Sequence, residues 1–244
     1  MNNSPGNLME AQYYNTIEKP GTAEFRDRGS KFIAIVCPVS SIQEFKERLA
    51  EVKKDHAKAT HHCFAYRIGT DGITFRVSDD GEPSGSAGRP ILGQIDSKKI
   101  TNVLVIVVRY FGGTLLGVPG LINAYKSATS MALQLTTIIA KAVEVNYMLQ
   151  FDYTQMNEVM ILVKKYNCSI LSQETQLFCI LKIGVALNRL EDFLYKVNDL
   201  RADHYYSVLI NGKLLKRIKS DGEGGLVFEY KSGKGVDEIV VLKE

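Results

Sequence analysis

The 244-residue sequence predicts an α+β protein: an N-terminal α/β domain over 1–138, a ferredoxin-like βαββαβ domain over 139–210 and a short β extension over 211–244. Three observations carry this prediction. Thr101 to Phe111 holds an apolar run long enough only for a buried strand, ending at Arg109-Tyr110-Phe111. Ser41-Ile-Gln-Glu44 opens a helix with a capping-box pattern. From Lys141 onward, strand and helix patterns succeed one another as βαββαβ, the split arrangement in which two helices cover one face of a four-stranded sheet.

The elements follow in order. Residues 1 to about 12 read as a polar tail, and Phe32 to Val39 as a β-branched strand. In the helix after Ser41, Ile42, Phe45, Leu49 and Val52 recur at helical spacing, while charged residues fill the other face, so it covers a sheet. Thr60 to Ile68 and Ile73 to Ser78 flank an Asp71-Gly72 turn signal and form an antiparallel pair. Asp79 to Pro90 has no hydrophobic anchor and reads as a long loop, which in a compact domain favours a functional role. After the buried strand, Gly112 to Gly120 leads into a helix to about Leu135, with Pro119 near its first position.

The second domain reads as strand Ala142–Tyr153, helix 155–166, strands Cys168–Gln173 and Leu177–Val185, helix 190–199 and strand Tyr205–Ile210. In the last stretch, Leu226–Tyr230 and Glu238–Leu242 are strand-like, with turns at Asn211-Gly212 and Gly222–Gly225, which reads as a small β extension or, around Lys231-Ser-Gly-Lys-Gly with nothing to bury, as a partly disordered tail.

Composition narrows the function classes. Apolar residues make up 45% and charged residues 23%, which argues against disorder or coiled coil. Net charge is +3, and by segment it is +3 over 1–138 (16 basic against 13 acidic residues), −1 over 139–205 (7 against 8) and +1 over 206–244 (7 against 6). A protein held to nucleic acid by a broad basic face is excluded; a local patch is not. Cys37, Cys63, Cys168 and Cys179 show no CxxC spacing and read as buried reduced thiols. With no secretory pattern at the N-terminus and no membrane-length apolar run, a cytoplasmic protein without membrane contact is expected.

The chemistry-bearing segments each have a structural reading beside the functional one. Asp79, Asp80, Glu82, Ser84 and Ser86 cluster carboxylates and hydroxyls that can bind a hard cation or exchange protons. No ligand spacing is matched, and a turn-rich loop bonding its own backbone is preferred. His61-His62-Cys63 offers soft ligands, but strand alternation puts His62 on the face opposite His61 and Cys63, so histidines hydrogen-bonded within the domain are preferred to a metal site. Ser84–Arg89 and Phe111–Gly117 are glycine-rich and bring Arg89 and Arg109 close to exposed backbone N–H groups, a combination suited to phosphate, although neither matches an established phosphate-loop motif. Ser84 and Ser86 lack the nucleophile-elbow pattern, and Cys63 has no evident base.

Taken together, Gly88-Arg-Pro-Ile-Leu-Gly-Gln-Ile95, the strand Val103 to Val108 and Arg109-Tyr-Phe-Gly-Gly-Thr-Leu-Leu-Gly117 resemble the signature of the IMPACT/YigZ family. Ser30-Lys31-Phe32, His61 to Tyr66, Ser78 to Gly88 and Val118 to Tyr125 support the resemblance, which is dense over about 16 to 138. It implies an N-terminal unit similar to domain IV of elongation factor G and a second unit similar to its domain V, the two domains that contact ribosomal RNA. Eukaryotic relatives regulate translation by competing in activation of the amino-acid-starvation kinase, but they join the shared domain to a different N-terminal module, so that activity is not carried over.

The expected function is therefore a non-enzymatic regulator associated with translation. It would bind RNA, the ribosome or a translation factor, with Lys31, Arg89, Arg109 and Lys126 on phosphates and Tyr110 stacking. No cofactor and no metal are expected. The alternative is a small-molecule hydrolase or nucleotide- or phosphate-binding enzyme using Asp79, Asp80 and Glu82 with His61 or His62. A regulator that binds only protein through the same loop is not separable from the first reading by sequence.

Overall fold

A strand with apolar side chains on both faces needs cover on both, and Val103–Tyr110 finds it as the middle strand of an antiparallel five-stranded sheet. The computed structural model describes residues 12–175, 179–199, 205–210, 213–219 and 239–243. It divides into two units, Met1–Lys141 and Ala142–Glu244.

Unit 1 runs β1 (Tyr13–Ile17), β2 (Gly21–Asp27), β3 (Ser30–Pro38), α1 (Ile42–Asp55), β4 (His61–Ile68), β5 (Thr74–Ser78), α2 (Gly88–Ser97), β6 (Val103–Tyr110), α3 (Gly117–Gln134) and β7 (Ile138–Ala142). The sheet order is β2-β3-β6-β4-β5, and β1 pairs with β7 in a separate ribbon. On one face α1 contributes Phe45 and Val52 to a cluster with Phe64, Tyr66, Ile106 and Val108. On the other, Ile91 and Ile95 of α2 and Leu121 and Tyr125 of α3 cluster with Phe32, Val105 and Val107.

Local chemistry sets the helix starts. Ser41 Oγ accepts the Glu44 N–H at 3.1 Å, and the Glu44 carboxylate accepts the N–H of Ser40 at 2.7 Å, one residue earlier than a standard capping box. The expected loop up to Pro90 is shorter than read, because α2 begins at Gly88. Its N-cap, Ala87, has no capping side chain; the Asp79 carboxylate accepts from the Ala87 and Gly88 N–H groups instead, at 3.0 and 2.8 Å. Pro119 is the third residue of α3, still in the first turn, where a missing N–H breaks no intrahelical bond.

Chain direction then gathers one set of connections at a single end of the sheet. The β2–β3 hairpin, the end of α1, the start of β4, the loop after β5, the start of α2, the end of β6 and the start of α3 all meet there.

Unit 2 runs β8 (Glu144–Phe151), a 3-10 turn at Tyr153–Gln155, α4 (Met156–Lys165), β9 (Ser169–Thr175), β10 (Cys179–Ala186), a 3-10 turn at Leu187–Arg189, α5 (Leu190–Asp199), β11 (Tyr205–Ile210), β12 (Lys213–Lys219) and β13 (Ile239–Lys243). The βαββαβ succession is present from β8 to β11. The β extension is built into the same sheet, whose order is β12-β11-β13-β8-β10-β9. Strand β13 pairs in parallel with β8 and antiparallel with β11, so it separates the first and fourth strands of the βαββαβ unit. The strand expected at Leu226–Tyr230 and the turns at Asn211-Gly212 and Gly222–Gly225 lie outside the described residues. Among the described residues, no helix is long and apolar enough to cross a membrane.

Candidate functional site

The end of the unit 1 sheet holds a buried polar network. Arg109, the last inward-facing residue of β6, is 5% exposed. Its Nη1 lies 2.7 Å from Glu82 Oε1, and its Nη2 donates to Ser30 Oγ at 3.4 Å. Tyr125 of α3 donates its hydroxyl to the same Glu82 oxygen at 2.7 Å. The Cys63 thiol sits 3.0 Å from the Asp79 carbonyl and 3.3 Å from the Tyr125 hydroxyl oxygen, either of which can accept its proton. Ser30 Oγ also accepts the Gly112 N–H at 3.1 Å. A Cβ on Gly112 would collide with the Gly29 backbone, so close approach of hairpin and loop requires glycine there. The interior thus fixes the path of the Gly112–Gly117 loop at the surface.

The loop after β5 is organised by its own acids. Asp79 accepts from Gly85 at 2.8 Å as well as from Ala87 and Gly88. Burial alone would raise its carboxyl, but these three N–H groups and the charge of Arg89 outweigh that and hold it below its ordinary value. Asp80 accepts the His62 backbone N–H at 2.6 Å and lies 3.8 Å from Lys53 Nζ. His61 Nδ1 is 2.7 Å from the Asp80 carbonyl, which can only accept; Nδ1 therefore carries a proton. That ring's Nε2 is 3.9 Å from Glu82 Oε1. His62 faces the other way, with Nε2 3.2 Å from the His56 carbonyl, and burial lowers its basicity.

Chemically, these groups are occupied rather than poised. Burial pushes the Cys63 thiol up to about 12, leaving it protonated near neutral pH. The Tyr125 phenol is raised by burial and by neighbouring Cys63 and Glu82. The Ser86 hydroxyl is buried and donates to the Pro83 carbonyl at 2.6 Å, while Ser84 is exposed. Among the described residues, no group of three or more His, Cys, Asp or Glu is arranged to hold a metal.

Two of the residues expected to meet phosphate or base stand elsewhere. Arg109 is inside the domain, because a cation on the buried face of the central strand must find a carboxylate, and Glu82 supplies it. Tyr110 faces the α1 side: its hydroxyl is 2.9 Å from His56 Nδ1, and Lys31 Nζ lies 4.8 Å from the ring centroid, so neither the hydroxyl nor that ring face is free for stacking. Arg89 and Lys126 are exposed and Lys31 is half-buried.

Sequence reasoning gave no role to Arg28 at the hairpin tip or to Lys53, Lys54 and Lys58 at the end of α1, all exposed at the same sheet end. Their sequence positions are unremarkable, and only the topology collects them. Exposed Glu18, Glu44, Glu47, Asp71 and Asp96 belong to the opposite end, together with Lys19, Lys98 and Lys99. Around the network the acids that reach the surface are Asp27 and Asp80, both half-buried, and Glu51 and Asp55 near the end of α1, since Glu82 is engaged inside and Asp79 is bound by backbone N–H groups.

Comparison with known proteins places the network inside a shared domain. The family model of the Impact N-terminal domain matches residues 28–133, a span that holds every network residue. The chain is 36% identical over 166 residues to an IMPACT family member of Haemophilus influenzae, covering 67% of this chain and 81% of the relative. It is 31% identical over 182 residues to the IMPACT family member YigZ of Escherichia coli, covering 74% and 89%. A crystal structure described only as that of a hypothetical protein superimposes with a TM-score of 0.64 at 28% identity, covering 85% of this chain and 97% of the other.

Proposed function

The chain belongs to the IMPACT family, and from that premise we propose that it is a translation-associated regulator that docks on RNA, as found on the ribosome, through the network end of the unit 1 sheet. The observation that carries this reading is the sorting of charge: Arg28, Lys31, Lys53, Lys54, Lys58 and Arg89 are collected at that end against Asp27, Glu51, Asp55 and Asp80, while Glu82 is paired with Arg109 inside and Asp79 is bound by backbone N–H groups. A chain of net charge +3 thereby presents a local cationic surface, enough for phosphate contacts of modest affinity. The resemblance to the family, which implies folds similar to the two elongation factor G domains that contact ribosomal RNA, supports the same direction at the level of fold analogy.

The reading is non-enzymatic. Glu82 is held by Arg109 and Tyr125, the Ser86 hydroxyl donates to the Pro83 carbonyl and burial keeps the Cys63 thiol protonated, so none of the three is an activated base or nucleophile. The test is co-sedimentation with ribosomes at graded salt. Retention at low salt is expected to fall steeply as salt rises, and Arg28→Ala with Lys31→Ala and Arg89→Ala should weaken it while leaving the thermal midpoint near wild type. Retention that ignores both salt and these substitutions would overturn the proposal.

A further inference from the structure

The network end carries an apolar feature that phosphate contact does not use. Phe111 is 46% exposed and Leu115 82% exposed, while Val118 and Ile122, one turn apart on α3, are also exposed. Leu115 lies between Gly113 and Gly117, both at positive φ, in the loop whose start is pinned by Ser30 and the Gly29 contact. Four exposed apolar side chains within residues 111–122, on one loop and the helix it opens, mark this segment as a contact site.

We propose that Phe111 is the stacking platform for an unpaired RNA base, with exposed Leu115 on the same loop, so that this end takes single-stranded or looped RNA rather than continuous duplex. The inference rests on the RNA-docking reading above and deepens it. The Arg109 guanidinium lies 5.4 Å from the Phe111 ring centroid and is itself locked by Glu82, so the ring stands on a rigid cationic support. Tyr110, its neighbour in sequence, is engaged by Lys31 and His56, which leaves Phe111 as the exposed aromatic at the end of β6. The charge is complementary to a backbone running past such a base. Arg28 and Arg89 are exposed at this end, Lys126 is exposed at the middle of α3, and neither α2 nor α3 has an acid in its first turn. A base in a continuous duplex has no free face to offer the ring, whereas an unpaired base stacks irrespective of its identity.

The test is fluorescence anisotropy of the full chain with a labelled 12-nucleotide single-stranded RNA and a 12-base-pair RNA duplex at low salt. Phe111→Leu keeps apolar volume without a π face and Phe111→Trp restores one; circular dichroism melting confirms that both fold. The expected result is tighter binding of the single strand by wild type and a loss of at least about fivefold with Phe111→Leu. Binding is retained with Phe111→Trp, and duplex binding is unchanged in either variant. Wild-type single-strand affinity in Phe111→Leu overturns the stacking role; if Arg28→Ala with Arg89→Ala still weakens both RNAs, the docking reading survives it. Binding of neither RNA by wild type overturns both and leaves the patch to an acidic amphipathic protein segment.

Discussion

The two units bury different kinds of side chain. In unit 2, the described buried side chains are aliphatic, aromatic or cysteine, from Tyr147, Leu149 and Phe151 on β8 to Phe193 and Val197 on α5. Unit 1 has cores of the same kind on both sheet faces, yet at one end it also buries Ser30, His62, Glu82, Ser86 and Arg109. A buried ion pair is a poor way to gain stability, because desolvation offsets most of the attraction. What it supplies is geometry: Glu82 ties the loop after β5 to the end of β6 and, through Tyr125, to α3. Unit 2 reads as a packing solution, and unit 1 as one that gives up part of its interior to hold a surface in shape.

The largest predicted effect probes this contrast at Glu82. Glu82→Ala strands the Arg109 charge inside the domain and should cost about 3–5 kcal/mol, whereas Glu82→Met with Arg109→Met should recover much of that loss. Native-state hydrogen exchange, followed separately in each unit, should show the loss in unit 1. If Glu82→Ala leaves unit 1 protection intact, the ion pair is not what holds the loop.

A somewhat smaller effect belongs to unit 2. Leu181→Ala empties a site in an all-apolar core and should cost about 2–5 kcal/mol, with protection lost on β8 and β10. No polar double variant should rescue it, since no charge is left unpaired.

The smallest effect is the response to acid. His62 is less basic in the folded chain than its usual 6.5, and Asp79 is more acidic than its usual 3.8. For both groups the unfolded state binds the proton more readily, so their stabilisation is complete above the unfolded value and lost as pH falls through the folded one. Unit 1 should therefore begin to weaken below 6.5 through His62 and again below 3.8 through Asp79. In unit 2 the resolved shifts are upward, with Tyr147 raised by burial to about 12 and Cys168 by burial to about 11, and these weaken it only on the alkaline side. Thermal melts from pH 8 to pH 3 check this; acid loss confined to unit 2 would reverse the comparison.

What the sequence revealed follows the range of the interactions involved. Helix α1 was legible because Ser41 and Glu44 cap it from within one turn, and the βαββαβ succession because periodicity is local. Helix α2 was not legible, and the loop reads on to Pro90, because the cap Asp79 sits nine residues before Gly88 and the helix's own N-cap residue is an alanine. Strands β1 and β2 escaped notice because Tyr13–Ile17 and Gly21–Asp27 are short and largely polar, and owe their place to pairing with β7 and β3. Arg109 ends an apolar run and so resembles a surface cation; its partner is 27 residues away, and one sequence does not pair them. Tyr110 and Phe111 look equivalent as aromatics, and only strand alternation, with α1 on one face and α3 on the other, gives the first to His56 and Lys31 and the second to solvent.

The central claim, that the network end and not the opposite end of unit 1 meets RNA, is tested most directly by the salt dependence of ribosome binding. Wild type, Arg28→Ala with Lys31→Ala and Arg89→Ala, and Lys98→Ala with Lys99→Ala at the far end would be measured side by side. The first variant should lower the magnitude of the slope of log affinity against log salt by roughly 0.7–0.9 for each phosphate contact removed, and the second should leave it at the wild-type value. Equal slopes for all three, or a change confined to the Lys98 and Lys99 variant, would contradict the account.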